Sequence, residues 1–313
     1  MSDETKLWDV LIVGGGPAGV TAAIYSSRSL LKTLIIEKAM IGGNVTYTEQ
    51  IENYPGFPGG IESFELTTRF KDHSVEFGAE IMNAEVQSLK IEGGLKILET
   101  DQGPVRGKTI IIATGLIPVK LNVPGEEKFW GRGVSACATC DGPFYRDQVV
   151  AAIGGGNSAV EEALYLTRFA KEVHIVHRRD QLRAVKLLQE RAFSEPKIKF
   201  QWNSVVKEIK GTEGVESMVL ENVLTRKTKE VKVDGVFTYI GLNPMSDWVG
   251  DALDRDDRGY LIVDKNMQTN LSGIFAAGDV ANPVYRQIII GAGEGAKAAL
   301  AAEKYILEEW GEK

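Results

Sequence analysis

A chain of 313 residues exceeds the ~250–300 residues that one hydrophobic core usually serves, so two domains are expected. Its 43% hydrophobic and 25% charged residues are those of an ordinary globular protein and exclude a disordered or fibrous one. A net charge of −7, with Lys and Arg scattered among acids, leaves no basic stripe for a phosphate backbone, so nucleic acid is not an expected partner.

The opening Met1-Ser2-Asp3-Glu4 is acidic and no apolar run stands behind it, which argues against a secretory leader. From Trp8, the run Val10-Leu11-Ile12-Val13 reads as a strand buried on both faces. It stops at Gly14, helical spacing runs from Ala18 to Leu30, and Thr33 to Ile36 forms a second apolar strand ending at Glu37. The chain thus begins with a βαβ unit. Glu80 to Ile91 and Leu95 to Thr100 alternate as antiparallel strands do, and Lys108 to Ile112 reads as a further buried strand. The longest nearly apolar stretch, Thr109 to Val119, falls well short of the ~20 residues of a bilayer span, so no membrane association is expected and the chain is placed in the cytoplasm.

The same strand–helix–strand order returns at Gln148 to Ile153, Ser158 to Phe169 and Val173 to Val176. A polar stretch, Asp251 to Gly259, precedes a short strand Ile274-Phe275-Ala276 that runs into Gly278-Asp279, and an amphipathic helix from about Arg286 to Trp310 closes the pattern. Pro118 and Pro244 each follow a strand-like run and bound an inserted second domain. The expected fold is α/β, with two Rossmann-like dinucleotide-binding domains, one inserted into the other: residues 1–117 and 245–313 form the host and 118–244 the insert.

Gly14-Gly15-Gly16-Pro17-Ala18-Gly19 matches G-x-G-x-x-G between a strand and a helix, with Glu37 placed 23 residues after Gly14. Gly14 allows the tight turn, Gly16 lets backbone approach a pyrophosphate, Gly19 lets helix and strand pack, and Glu37 would accept from a ribose diol. The helix N-terminus offers unpaired N–H groups and partial positive charge to the pyrophosphate. Gly154-Gly155-Gly156-Asn157-Ser158-Ala159 repeats the pattern with Ala last. After its second strand, where an acid would suit NAD, stand His177-Arg178-Arg179, with Arg183 four residues beyond Arg179. Guanidinium groups pair with a phosphate that an acid would repel, so the nucleotide expected here is NADPH.

The only cysteines, Cys137 and Cys140, are two residues apart, which leaves none for structural staples or a four-ligand zinc site, and no metal is expected. The spacing suits a disulfide that forms and reopens within one turn, exchanging with another disulfide. Asp141, next in sequence, is a candidate proton donor or acceptor for the thiolate.

With these three motifs in this order, the chain resembles the low-molecular-weight thioredoxin reductases from end to end. The most specific piece is Ala136-Cys137-Ala138-Thr139-Cys140-Asp141-Gly142, directly before the second dinucleotide unit. Reductases of the glutathione reductase type carry their cysteines near the position of Ile41-Gly42-Gly43, where this chain has none. The resemblance implies FAD in the host domain and NADPH in the insert. It implies that Gly42, Gly43, Asn44 and Asn53 line the FAD, with Ala113, Thr114, Gly115, Gly278, Asp279, Arg286, Gln287 and Ile288, and with Val86 as a backbone contact to adenine. Asp279 would be the ribityl-binding acid. Cys140 would face the flavin, and Cys137 would attack the disulfide of a thioredoxin or thioredoxin-like partner. A homodimer is also implied, as is rotation of the insert about its two linkers to present nicotinamide and dithiol in turn. Asn44 stands where the family usually has Gln, and Val45 where it often has Leu.

Two other readings stay open at this point. A flavin dithiol enzyme could use another donor or acceptor, as a ferredoxin-driven reductase or dithiol oxidase does, although such relatives generally lack the second glycine motif and its arginines. A non-catalytic redox sensor would use the dithiol as a switch and show no turnover.

Overall fold

The computed structural model describes residues 6–47, 50–51, 53–136 and 138–311. The chain divides into two compact units, Met1–Ile117 with Asn243–Lys313, and Pro118–Leu242. The two crossings lie in short strands, Leu116–Pro118 and Leu242–Pro244.

In the first unit the strand Leu7–Val13 lies between Thr33–Glu37 and Gly103–Ile112 and parallel to both, with Val13 level with Ile36 and Ile112. Glu80–Asn83 extends this sheet beside Thr33–Glu37, Ile274–Ala276 adds to Gly103–Ile112 in parallel, and Leu95–Thr100 and Val86–Glu92 continue it antiparallel. Successive side chains enter opposite layers: Val10, Ile12, Ile35 and Ile111 pack with Ala22 and Ala298, while Leu11, Val13, Ile36 and Ile112 pack with Leu98 and Val280. Burial on both faces is why these strands read as continuous apolar runs rather than alternation. The helices Pro17–Arg28 and Ile288–Trp310 meet through alanines such as Ala22, Ala23, Ala298 and Ala302, which let their backbones come close.

The structure divides the segment expected as one strand from Glu80 to Ile91. Glu80–Asn83 pairs parallel at one end of the sheet path and Val86–Glu92 antiparallel at the other. Ala84 and Glu85 carry the chain between them, and Glu85 is held by Asp101 through two backbone-directed bonds. A single alternating run cannot show that its halves have different partners. The helix Ser63–Glu76 was not expected from periodicity; it buries only Ser63, Leu66, Thr67 and Ser74, a stripe with little apolar signal.

The second unit is built on a sheet ordered Val134–Ser135, Gly235–Thr238, Val149–Ile153, Glu172–Val176, Ile198–Gln201, parallel throughout. One layer, around Ala152, Val160, Ala163, Ile175 and Phe237, holds the helices Asn157–Leu166 and Lys186–Ser194. The other joins Ala151, Val176 and Val236 to an antiparallel sheet of Ser204–Lys210, Ser217–Asn222 and Thr228–Lys232, which supplies Val206, Ile209, Met218 and Leu220. Among the described residues no helix is long and apolar enough to cross a membrane.

Candidate functional site

The first glycine turn closes the strand Leu7–Val13 and opens the helix Pro17–Arg28. At Gly14 φ is +105°, and a Cβ there would sit 2.3 Å from the Ala113 carbonyl oxygen, so the position admits no side chain. Gly16 is the N-cap and faces open space; Pro17 stands at the helix start, where its missing N–H is no loss, and no side chain caps the helix. The first-turn amides therefore keep their partial positive charge for whatever enters beside them. Glu37 braces the turn, with Oε2 accepting from the Gly15 amide at 2.7 Å and Oε1 from the Ala39 amide at 2.9 Å.

These residues open onto a cleft of about 780 Å³ whose whole lining belongs to the first unit. Gly14, Gly16, Pro17, Ala18 and Glu37 form one wall, with Gly43 and Asn44 beyond them. Val86 closes one end, and Ala113, Thr114 and Gly115 form the floor after the strand Gly103–Ile112. Gly278, Asp279, Arg286, Gln287 and Ile288 complete the enclosure. Gly15, Gly19, Gly42 and Asn53 do not line it: Gly19 packs on the Gly14 carbonyl, the Gly42 amide donates to the Gly15 carbonyl, and Asn53 Nδ2 donates to Gln287 Oε1 at 2.9 Å. The helix expected from Arg286 begins at Ile288, with Gln287 as an N-cap whose side chain does not bond to the first-turn amides, so a second uncapped helix start faces the same space.

The reading from sequence missed Lys38, Ala39, Met40, Asn243, Met245 and Trp248, which also line the cleft. Met245 is fixed by its amide donating to the Gly115 carbonyl at 3.0 Å and its carbonyl accepting from Thr114 Oγ1 at 2.7 Å. The proline at 244 was the one available signal that the chain turns back here. Asn44 Nδ2 donates to the Leu116 carbonyl at 2.9 Å, so the unusual Asn anchors its own loop. Burial pushes the Asp279 carboxyl up to about 6, with Arg286 pulling it down and Glu294 adding to the rise.

In the second unit the strands Val134–Ser135, Val149–Ile153, Glu172–Val176 and Gly235–Thr238 all end on one edge, with Ile153 level with Val176 and Thr238. In an open parallel sheet that edge is where ligands bind. The Gly154–Gly156 turn leaves it and opens the helix Asn157–Leu166, which is again uncapped. The buried His177 ring lies against Gly155, where a Cβ would come within 2.5 Å of it, and the chain beyond folds back so that the Arg183 and Ala184 amides donate to the Gly155 carbonyl. Asn157 Oδ1 accepts from the Val185 amide at 2.9 Å, and Ser158 is exposed beside it. This docking brings Arg178, Arg179 and Arg183 to the glycine turn. All three are exposed, and among the described residues none forms an ion pair with Asp180 or any other acid. Burial, then Arg183, Arg179 and Arg178 in that order, hold the His177 imidazole below its usual range, which keeps it neutral.

Cys137 lies outside the described residues, and Cys140 is described by backbone alone. The segment Ala138–Asp141 forms one helical turn that continues into Gly142–Tyr145, directly after Val134–Ser135 and on the same sheet edge as the second glycine turn. The Asp141 charge reaches two phenols there, Tyr145, pushed up to about 12 mainly by burial, and Tyr239, also raised mainly by burial. Among the described residues no group of three or more His, Cys, Asp or Glu side chains could hold a metal ion.

Two uncapped glycine turns in separate units, with a two-cysteine segment beside the second, define an oxidoreductase that combines dinucleotide and dithiol chemistry. The sequence pattern of the pyridine nucleotide-disulphide oxidoreductases matches residues 8–296. A thioredoxin reductase of Streptomyces coelicolor is 46% identical over 301 residues, covering 95% of this chain and 94% of that protein. A bifunctional thioredoxin reductase/thioredoxin of Mycobacterium leprae is 43% identical over 314 residues, spanning 100% of this chain and 69% of its own length. The crystal structure of Lactococcus lactis thioredoxin reductase in its FR conformation superposes with a TM-score of 0.85 at 46% identity, over 96% of this chain and 99% of that one. The chain belongs to the pyridine nucleotide-disulphide oxidoreductase family and, within it, to the low-molecular-weight thioredoxin reductases.

Proposed function

We propose that this chain is an NADPH-dependent thioredoxin-disulfide reductase that passes reducing equivalents through FAD and the Cys137/Cys140 dithiol to an oxidised thioredoxin or thioredoxin-like protein. The observation that carries the reading is the shared sheet edge of the second unit. It holds the cysteine segment, a second uncapped glycine turn and three exposed arginines that form no ion pair among the described residues. A ferredoxin-driven enzyme or a dithiol oxidase has no use for that turn and those guanidinium groups.

FAD fits the first cleft on three counts: open space at Gly16, two helix starts with free amides, and a buried carboxyl at Asp279. When bound, it accepts a hydride from a nicotinamide and hands two electrons to a disulfide. Gly14 to Ala18 would hold its pyrophosphate, Glu37 its ribose, Asp279 its ribityl hydroxyls, and Ile288 its ring edge through the helix dipole. In the second unit Gly154, Gly156, Asn157 and Ser158 would hold the pyrophosphate of NADPH, with Arg178, Arg179 and Arg183 around its 2′-phosphate and His177 as a neutral support. Cys140 takes the electrons and Cys137 attacks the partner disulfide, while Asp141 moves the proton. Because the segment Ala138–Asp141 and the nucleotide loop belong to one compact unit, presenting each in turn to the flavin would take movement of that unit as a body.

Both cysteines are committed to a reversible pair, which suits a reducing compartment, and we read the protein as a cytoplasmic homodimer. The test is to follow nucleotide oxidation by the FAD-loaded protein with oxidised thioredoxin, offering NADPH or NADH. Sustained turnover preferring NADPH is expected. A preparation that folds but takes up no FAD, or that turns over no disulfide, overturns the reading; the latter result would leave a redox sensor.

A further inference from the structure

The turn Gly278–Val280 and the start of the helix Ile288–Trp310 both feed the first cleft, through Gly278, Asp279, Arg286, Gln287 and Ile288. The side chain that joins them is Glu294, in the second turn of that helix and outside the cleft lining. Its Oε2 accepts from the Gly278 amide at 2.9 Å and its Oε1 from Asn282 Nδ2 at 2.7 Å. Asn282 closes the turn from the other side, its own amide donating to the Gly278 carbonyl at 3.0 Å. Its Oδ1 accepts from the Val284 and Tyr285 amides at 3.0 and 3.1 Å, which starts the run to Arg286.

Those two amides can only donate, so the Asn282 side chain must turn its oxygen to them and its NH2 to residue 294. The Gly278 amide is a donor as well. Position 294 therefore faces two donors and needs two acceptors, which a carboxylate supplies and a side-chain amide does not. An apolar residue there would take both acceptors away. Space enforces the same turn: Gly278 has φ +75°, and a Cβ there would lie 2.9 Å from the Ala18 Cβ at the start of the helix Pro17–Arg28.

We propose that Glu294 is a positioning residue for the flavin: its carboxylate ties the Gly278–Asp279 turn and the Asn282 loop to the last helix, setting Asp279 and the helix start relative to each other before FAD enters. This role rests on the reading that FAD fills the cleft. A site already held in its bound form gives up less conformational freedom on binding, so the gain shows as slower release of the cofactor. Glu294 contributes no lining of its own and acts through the Gly278 amide and Asn282.

The test follows FAD release from the loaded full-length protein, read as the rise in free flavin fluorescence after dilution. Glu294→Gln turns an NH2 toward a donor and should release FAD roughly tenfold faster or more. Asn282→Asp alone sets two carboxylates face to face and should also speed release. Glu294→Gln combined with Asn282→Asp restores one donor against one acceptor, and release should return to within about threefold of the unmodified rate. In an Asp279→Asn background Glu294→Gln should add about threefold or less, because the turn it sets no longer presents a carboxylate. A brace of the fold alone would speed release by the same factor in both backgrounds. A Glu294→Gln release rate equal to the unmodified one overturns the proposal, as does a combined variant no slower than Glu294→Gln alone, or an equal factor with and without the Asp279 carboxyl. Should the unmodified protein hold no FAD to release, the cofactor reading falls first, a result distinct from each of these.

Discussion

Asp279 sits in the turn Gly278–Val280 with its carboxyl mostly withdrawn from water, pushed up to about 6 by burial. A ligand hydroxyl donating to it favours the ionised form, so the affinity of the apoprotein for FAD should rise as pH climbs through about 6 and level off above. Flavin fluorescence titration at pH 5 and 7.5 should differ by roughly tenfold, and Asp279→Asn should bind weakly without that step. For the arginines beyond His177, replacing Arg178 and Arg179 together by Ala should raise the KM for NADPH roughly tenfold or more and leave NADH use nearly unchanged, since each charged hydrogen bond contributes about 1.5–3 kcal/mol. Equal losses with both nucleotides would remove the 2′-phosphate assignment. Glu162 on the helix Asn157–Leu166 has a stability consequence as well. Between its usual 4.5 and about 7 the folded chain keeps a proton that the unfolded chain has released, so stability falls as pH rises through that window. Glu162→Gln should abolish that fall, a difference on the order of 2 kcal/mol between pH 5 and 8 by urea denaturation.

At the scale of elements, the strand–turn–helix that begins the first unit tolerates no side chain at Gly14, because the turn is left-handed there and the Ala113 carbonyl fills the space. Gly14→Ala should destabilise the unit by about 2 kcal/mol or more and release FAD, measured as lost flavin absorbance after gel filtration. The last helix is tied to the antiparallel part of the sheet by Lys96, which is 2% exposed and donates to the Gly94 carbonyl at 3.1 Å and to Tyr305 Oη at 2.9 Å. Among the described residues no carboxylate pairs with it, so Tyr305→Phe should cost about 1–3 kcal/mol in thermal or chemical unfolding. The parallel strands Leu7–Val13, Thr33–Glu37, Val149–Ile153 and Glu172–Val176 were legible because strands buried on two faces must be apolar throughout, whereas Val134–Ser135, Ile198–Gln201 and Gly235–Thr238 were not read. The antiparallel sheet of Ser204–Lys210, Ser217–Asn222 and Thr228–Lys232 was not, since inward positions such as Met218 and Leu220 come in twos and the bulge at Val206/Glu208 breaks the alternation.

For the whole molecule, the decisive variant is Cys140→Ser. With nucleotide loop and cleft untouched, NADPH should still bleach the flavin absorbance in stopped-flow, while turnover with oxidised thioredoxin should drop to background; retained turnover would refute the dithiol relay. By itself the sequence determined what is local in the chain. The glycine spacings, Glu37, the arginines after His177 and the paired cysteines each lie within one turn or one βαβ unit, so residue order alone was enough to propose their chemistry. Only the tertiary structure decided which distant segments share a space. Met245 and Trp248 reach the first cleft because the chain returns to the Ala113–Gly115 floor after the inserted unit, and the second glycine turn and the segment Ala138–Asp141 share one edge because separate strands end there. Such meetings are set by strand order and register, which packing of the whole core selects and no short stretch of sequence encodes.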